Sequence, residues 1–326
     1  MSPIPILIVV GVAVLGIFSH QVIKEQQGVP PPLDFGDASA EKGYSMFDFI
    51  AHRYDAINRI LAFRMDVGWR KQMVQLILAE VQDVADPKIL DVATGTADVA
   101  LMTASMIPSA TIVGVDPSNG MLDVGRRKIQ NQQRQDQIQL QWADARDLTS
   151  TLEPSSFHAA TMAFGIRNVP ERNVALCEIY NVLTPEALLT ILEFSEPSTT
   201  EGAILERAAG VFIQHVVPFV GGILSGQPRM YKHLQNSIKN FPSPVEFEAY
   251  VNSLVCTSST QPSFNVEQVQ HLNFGSVQLY SIRSLKPLVE PVPEQVHQQE
   301  IPVPGEPVDE EDEAEEPTVE AETVAA

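Results

Sequence analysis

The chain has 326 residues, enough for one large domain with a real core, and its 44% share of hydrophobic residues is ordinary for a globular protein. Its net charge of −20 is uneven: residues 287–326 hold thirteen Asp or Glu and no Lys or Arg, which leaves −7 for the rest and no basic footprint for nucleic acid. The two cysteines, Cys177 and Cys256, form no CxxC or Cys/His cluster, which argues against a structural metal site and against a disulfide-built secreted module.

In chain order, residues 3–19 (PIPILIVVGVAVLGIFS) form an apolar run of 17 residues with no charge until Lys24. That is the short edge of what spans a bilayer, and residues 1–27 read as an N-terminal membrane anchor or signal. Residues 28–42 read as a linker, stiffened by three consecutive prolines. The tail, 286–326, is rich in Pro, Val and Glu. It buries too little apolar surface to offset its ordering entropy, so it is expected to be disordered.

Between them, residues 43–285 alternate strand and helix. Strands are expected at 88–92 (KILDV), 111–116 (TIVGVD), 138–142, 157–164 and 188–194 (LLTILEF), with helices at 96–106, 121–132 and 170–183. Such alternation predicts an α/β fold, a mainly parallel sheet with helices on both faces. Residues 253–258 and 276–283 are expected to close the sheet as an antiparallel hairpin, and 201–250 to form a largely helical cover. Cys177, within the apolar ALCEIYNVL, is expected to be a core residue. The segment 211–224 is broken by Pro218, Gly221 and Gly222, so it cannot span a membrane; it walls a channel for an apolar tail or is ordinary core.

Ligands of an open parallel sheet bind beyond the carboxyl ends of the strands. The first such turn is LDVATGTAD, where Asp91, Gly95 and Thr96 are candidate cofactor contacts. The next strand ends in Asp116, an acid able to accept both hydroxyls of a ribose. The third leads to Asp144 and Ala145, where an adenine edge is read. The loop holds one glycine and lacks the GxGxxG that seats a pyrophosphate. A methyl donor without phosphates therefore suits it better than a dinucleotide.

More specific segments follow: YDAINRILAFRMDVGWRK (54–71), ILDVATGTADVA (89–100), GVDPSNGMLDVGRRK (114–128), MAFGIRNVPER (162–172), LEFSEP (192–197) and YKHLQNSIKNFPSPVEF (231–247). In this order and spacing the chain resembles the ubiquinone/menaquinone biosynthesis C-methyltransferase family, over roughly 230 residues ending near Arg283. The resemblance implies a class I methyltransferase (Rossmann-like) fold, a seven-stranded sheet with a helical cover, and S-adenosyl-L-methionine as cofactor. By motif, Thr96 contacts its methionine part, Asp116 holds the ribose, Asp144 and Ala145 flank the adenine, and Ala163 lines the site. Arg167 and Asn168 of FGIRN face the substrate, a prenylated benzoquinol or naphthoquinol.

The resemblance also implies a membrane partner, a quinone-biosynthesis complex and a homodimer. It places the protein at the mitochondrial inner membrane on a ubiquinone route, and at a plastid or bacterial membrane otherwise. Family loops read GGTGD where this chain reads TGTAD, so Ala97 is expected to add a methyl group where backbone meets cofactor. Other readings are a methyltransferase for another lipophilic substrate, against which FGIRN argues, and a non-catalytic scaffold, which Ala97 keeps open.

Ring C-methylation needs a nucleophilic carbon in line with the donor, an electron-rich ring and an exit for the ring proton. Arginine is a poor base. Arg167 is therefore expected to stabilise a developing phenolate or to orient a water that takes the proton. Its structural alternative is an ion pair with Glu171 or Glu193. His52, His233, Tyr54 and Asp55 are further candidates.

Overall fold

The computed structural model describes residues 40–195, 228–256, 260–273 and 275–287. The apolar runs at 3–19 and 211–224 and the acidic tail lie outside them, as does most of the linker. Its last residues, from Ala40, instead open a helix.

The elements run α1 (Ala40–Leu61), α2 (Met65–Val81), β1 (Lys88–Val92), α3 (Asp98–Met106), β2 (Thr111–Asp116), α4 (Asn119–Asn131), β3 (Ile138–Trp142), β4 (Phe157–Ala163), a 3-10 turn (Ile166–Asn168), α5 (Arg172–Val182), β5 (Leu183–Phe194), α6 (Pro228–Lys239), α7 (Pro244–Asn252), β6 (Phe264–Leu272) and β7 (Val277–Ser284). The seven strands lie in the order β3-β2-β1-β4-β5-β7-β6. β1 to β5 pair in parallel, while β7 runs antiparallel to both β5 and β6. This is the class I methyltransferase arrangement, and its strand order reverses between β1 and β4, where a ligand site forms.

Parallel strands covered on both faces must be apolar throughout, and β1 and β2 are buried along nearly their whole length. Successive side chains point to opposite faces. Leu90, Val92, Val113 and Met162 pack with Leu176 and Ile179 of α5 and Phe247 of α7. Ile89, Ile112 and Ala159 pack on the other face with Ile77 of α2 and Ala100 and Ala104 of α3. α7 starts on a capping box: Ser243 and Glu246 satisfy each other's backbone amides, with Pro244 in the first turn.

Two expectations need correction. Residues 253–256 form no strand; they leave α7 as irregular chain, and the partner of β7 is β6, which starts at Phe264. β6 is an edge strand with mostly exposed or half-buried side chains, so its sequence (FNVEQVQHL) carries little apolar signal. Cys177 is not a core thiol. α5 buries Ala175, Leu176, Ile179 and Tyr180, which leaves Cys177 half-buried on the helix flank. There it bonds to Cys256 just past α7, across a sequence separation of 79.

Candidate active site

A cleft opens at the carboxyl ends of the central strands. Its floor is Ala93 and Gly95 after β1, Val115 and Asp116 of β2, and Met162 and Ala163 of β4; Ala143 and Ala145, just past β3, wall one side. Phe164, Gly165 and Asn168 form the other side, while Phe47 and Tyr54 reach over from α1.

Asp116 is the acid on this wall. Its carboxylate accepts the Gly95 amide at 2.9 Å and the Ser118 amide at 2.9 Å. Burial pushes it up to about 6, against those two hydrogen bonds and with help from the charges of Asp91 and Asp48. The side chain of Ser118 then caps α4 through the Met121 amide.

Asp91 lies behind the loop, 2% exposed, and accepts hydroxyl hydrogens from Thr94 at 2.6 Å and Thr161 at 2.7 Å. Burial pushes it, too, up to about 6. It braces the loop rather than lining the cleft. Thr96 is also buried; its hydroxyl donates to Asp55 at 2.6 Å and accepts from Lys128 at 3.2 Å. Asp144 is held by Arg146, at 3.0 Å from Nε and 2.7 Å from Nη2, while Ala145 beside it lines the cleft. The cleft thus gathers Gly95, Asp116, Ala145, Ala163 and Asn168, and it leaves Asp91, Thr96, Asp144 and Arg167 just outside its wall.

The loop has its own geometry. Ala93, Gly95 and Ala97 all take left-handed φ angles, 53°, 56° and 64°. A Cβ built on Gly95 would meet nothing within 4 Å, so that backbone is open to close approach. Ala97 overturns the expectation made of it. It is fully buried within the core cluster of α2 and α3, and its Cβ would lie 3.2 Å from one built on Gly125 of α4. The extra methyl group points into the core, away from the cleft, and the loop keeps the conformation that a glycine would take.

α1 is tied down over this loop. Asp48 accepts the Gly120 amide at 2.7 Å and the Ser118 hydroxyl at 2.6 Å at the start of α4. Asp55 accepts from Lys128 at 2.9 Å, and Arg59 reaches Asp98 at 2.5 Å. Arg59 and Arg70 share the buried Asp66. Tyr54 is raised above the usual tyrosine range, burial outweighing the nearby charges of Arg167 and Arg70. Phe47 and Asp48 escaped the sequence reading: they lie in a helix whose role depends on packing about 70 positions away in the chain.

Of Arg167's two expected ion-pair partners, Glu193 is the one it takes, at 2.7 Å; Glu171 pairs with Arg146. His52 is exposed, 3.3 Å from Arg127. His233 sits on α6, which packs against the 3-10 turn; burial and then the charge of Arg167 lower it below the usual histidine value.

A family model described as the ubiE/COQ5 methyltransferase family matches residues 36–260. The chain is 38% identical over 204 residues to a demethylmenaquinone methyltransferase of Thermus thermophilus, covering 63% of this chain and 88% of that one. It is 39% identical over 210 residues to a ubiquinone/menaquinone biosynthesis C-methyltransferase of Geotalea daltonii, covering 64% and 85%. A relative of that same description from Syntrophotalea carbinolica is 38% identical over 239 residues, covering 72% and 91%.

Proposed function

The chain belongs to the ubiE/COQ5 methyltransferase family, and from that premise we propose that it transfers the methyl group of S-adenosylmethionine to a ring carbon of a prenylated quinol. It is a C-methyltransferase of quinone biosynthesis. The observation that carries the reading is the Asp116 carboxylate on the cleft floor, beside an open glycine backbone.

The cleft fits the donor. An ionised carboxylate has about four acceptor positions, and Asp116 spends one on each of two amides. Each oxygen keeps capacity for one hydroxyl of a ribose. Val115, Met121, Ala143 and Ala145 supply an apolar slot for an adenine. S-adenosylmethionine, when bound, supplies an electrophilic methyl group on a sulfonium sulfur.

The chain's residues then do the positioning. Asp116 holds the ribose. Phe47 and Tyr54 close the mouth and exclude water. Asn168 faces the ring of the quinol, and Arg167 donates a hydrogen bond to the ring oxygen as negative charge gathers there. A water takes the ring proton that the new methyl group displaces.

A prenylated quinol of benzoquinol or naphthoquinol type resides in a bilayer, so the enzyme works at a membrane, with the apolar run at 3–19 as its anchor. We place it at the mitochondrial inner membrane on a ubiquinone route and at a plastid or bacterial membrane on a naphthoquinone route. A homodimer and a quinone-biosynthesis complex are the assemblies that accompany this reading.

Calorimetric titration of the full chain with S-adenosylmethionine and S-adenosylhomocysteine tests the site, with Asp116→Ala as control. Micromolar binding that collapses in the control, followed by methylation of a reduced, prenylated demethyl-quinol, supports the proposal. A folded protein that binds neither compound refutes it.

A further inference from the structure

Glu193 is a fully buried carboxylate on β5, within the sheet, a costly place for a charge unless it is paired and hydrogen-bonded. Two of its three bonds go to one residue. Oε1 accepts from Arg167 Nη1 at 2.7 Å and from the Phe194 amide at 2.8 Å, and Oε2 accepts from the Arg167 backbone amide at 3.1 Å. Main chain and side chain of Arg167 are thus held by the same group. Arg167 Nη1 also donates to the Phe164 carbonyl at 2.6 Å, and the guanidinium carbon lies 5.7 Å from the centre of the Phe194 ring. The side chain has no freedom to swing.

One donor is left over. Arg167 Nε is buried and has no hydrogen-bond partner among the described residues. A buried, unsatisfied N–H costs about 1–3 kcal/mol, and such a group marks a place where something else completes the bond. The turn that bears it also carries Asn168 and follows Phe164 and Gly165, all of which line the cleft.

Resting on the quinol reading above, we propose that Glu193 is a positioning residue for methyl transfer. It fixes the guanidinium of Arg167 and, through that residue's backbone amide, the turn whose Asn168 lines the cleft, so that both are presented to the ring of the quinol. The paired Arg167 then offers a directed hydrogen bond rather than a free positive charge. Such a bond strengthens as the oxygen gains negative charge, so it favours the transition state over the bound substrate. Glu193 touches neither substrate nor cofactor and acts only through Arg167.

The test uses the full chain, a reduced prenylated demethyl-quinol and Glu193→Gln, which keeps the shape and removes the charge. We expect kcat to fall at least tenfold, with KM for the quinol and Kd for S-adenosylhomocysteine within threefold of wild type. In the double variant Glu193→Gln/Arg167→Lys, kcat should be no lower than in Arg167→Lys alone, because both changes remove one interaction. Should Glu193→Gln fail to fold, Glu193→Asp takes its place in the same cycle. A Glu193 variant with kcat within twofold of wild type overturns the inference, as do losses that multiply in the double variant. Wild-type protein that binds S-adenosylhomocysteine but methylates no quinol refutes the substrate reading instead, and the inference falls with it.

Discussion

Gly95 and Asp116 are fastened to each other: the amide after β1 donates at 2.9 Å to the carboxylate that ends β2. The two strands are already paired in register. This added link makes the loop and the acid one unit, so a change at either residue is felt by both.

Asp116 gives a pH dependence. Its carboxyl is raised to about 6, and only the ionised form accepts two ribose hydroxyls. Affinity for S-adenosylhomocysteine should therefore be constant well above pH 6 and fall about tenfold by pH 5. Calorimetry at a series of pH values reads this directly, and Asp116→Asn should bind weakly with a flatter profile. The stability of the unliganded protein runs the other way. For a group raised from 3.8, the favourable contribution is complete below about 3.8 and is lost as pH rises through about 6.

Ala97→Gly should be nearly silent for binding. Left-handed φ costs a non-glycine residue about 1–2 kcal/mol, but glycine also gives up a buried methyl group and adds freedom to the unfolded chain. The opposing effects leave a net change of about 1 kcal/mol or less. Thermal unfolding checks this, and Kd for S-adenosylhomocysteine should stay within twofold. A tenfold gain in affinity would show that the methyl group does intrude on the cleft.

Asp66→Ala should be strongly destabilising. Asp66 is 2% exposed and pairs with both Arg59 and Arg70, so its loss strands the buried Arg70. Breaking such a pair costs about 3–5 kcal/mol. Denaturant unfolding should show a loss of that order, and α1, which Arg59 also ties to Asp98, should become more protease-sensitive.

Much of this architecture could be read from residue order. β1 to β4 were legible to within a residue: β1, β2 and β4 because buried parallel strands are apolar runs bounded by turns, and β3 because Ile138, Leu140 and Trp142 alternate with Gln139 and Gln141. β5 starts earlier than its apolar pattern, since its first residues include Thr184, Pro185 and Glu186, which carry no strand signal. β6 was missed for the opposite reason to β1: most of its side chains are exposed or half-buried, so it carries no continuous apolar run. In the cleft, Asp116 and Ala145 were legible because strand ends locate them, and Ala163 through the FGIRN motif that it precedes. Phe47 and Asp48 were not, because no local pattern reveals which loop a helix will cross. The two expected partners of Arg167 were both in sight, and only packing chose Glu193.

The bond between Cys177 and Cys256 closes a covalent ring that contains β5, α6 and α7. β5 lies inside the sheet, hydrogen-bonded between β4 and β7. The helices that follow it are therefore leashed at both ends, once by the chain itself and once by sulfur. A single backbone cut anywhere between the two cysteines opens the ring without releasing a fragment, so a nicked molecule stays in one piece until it is reduced.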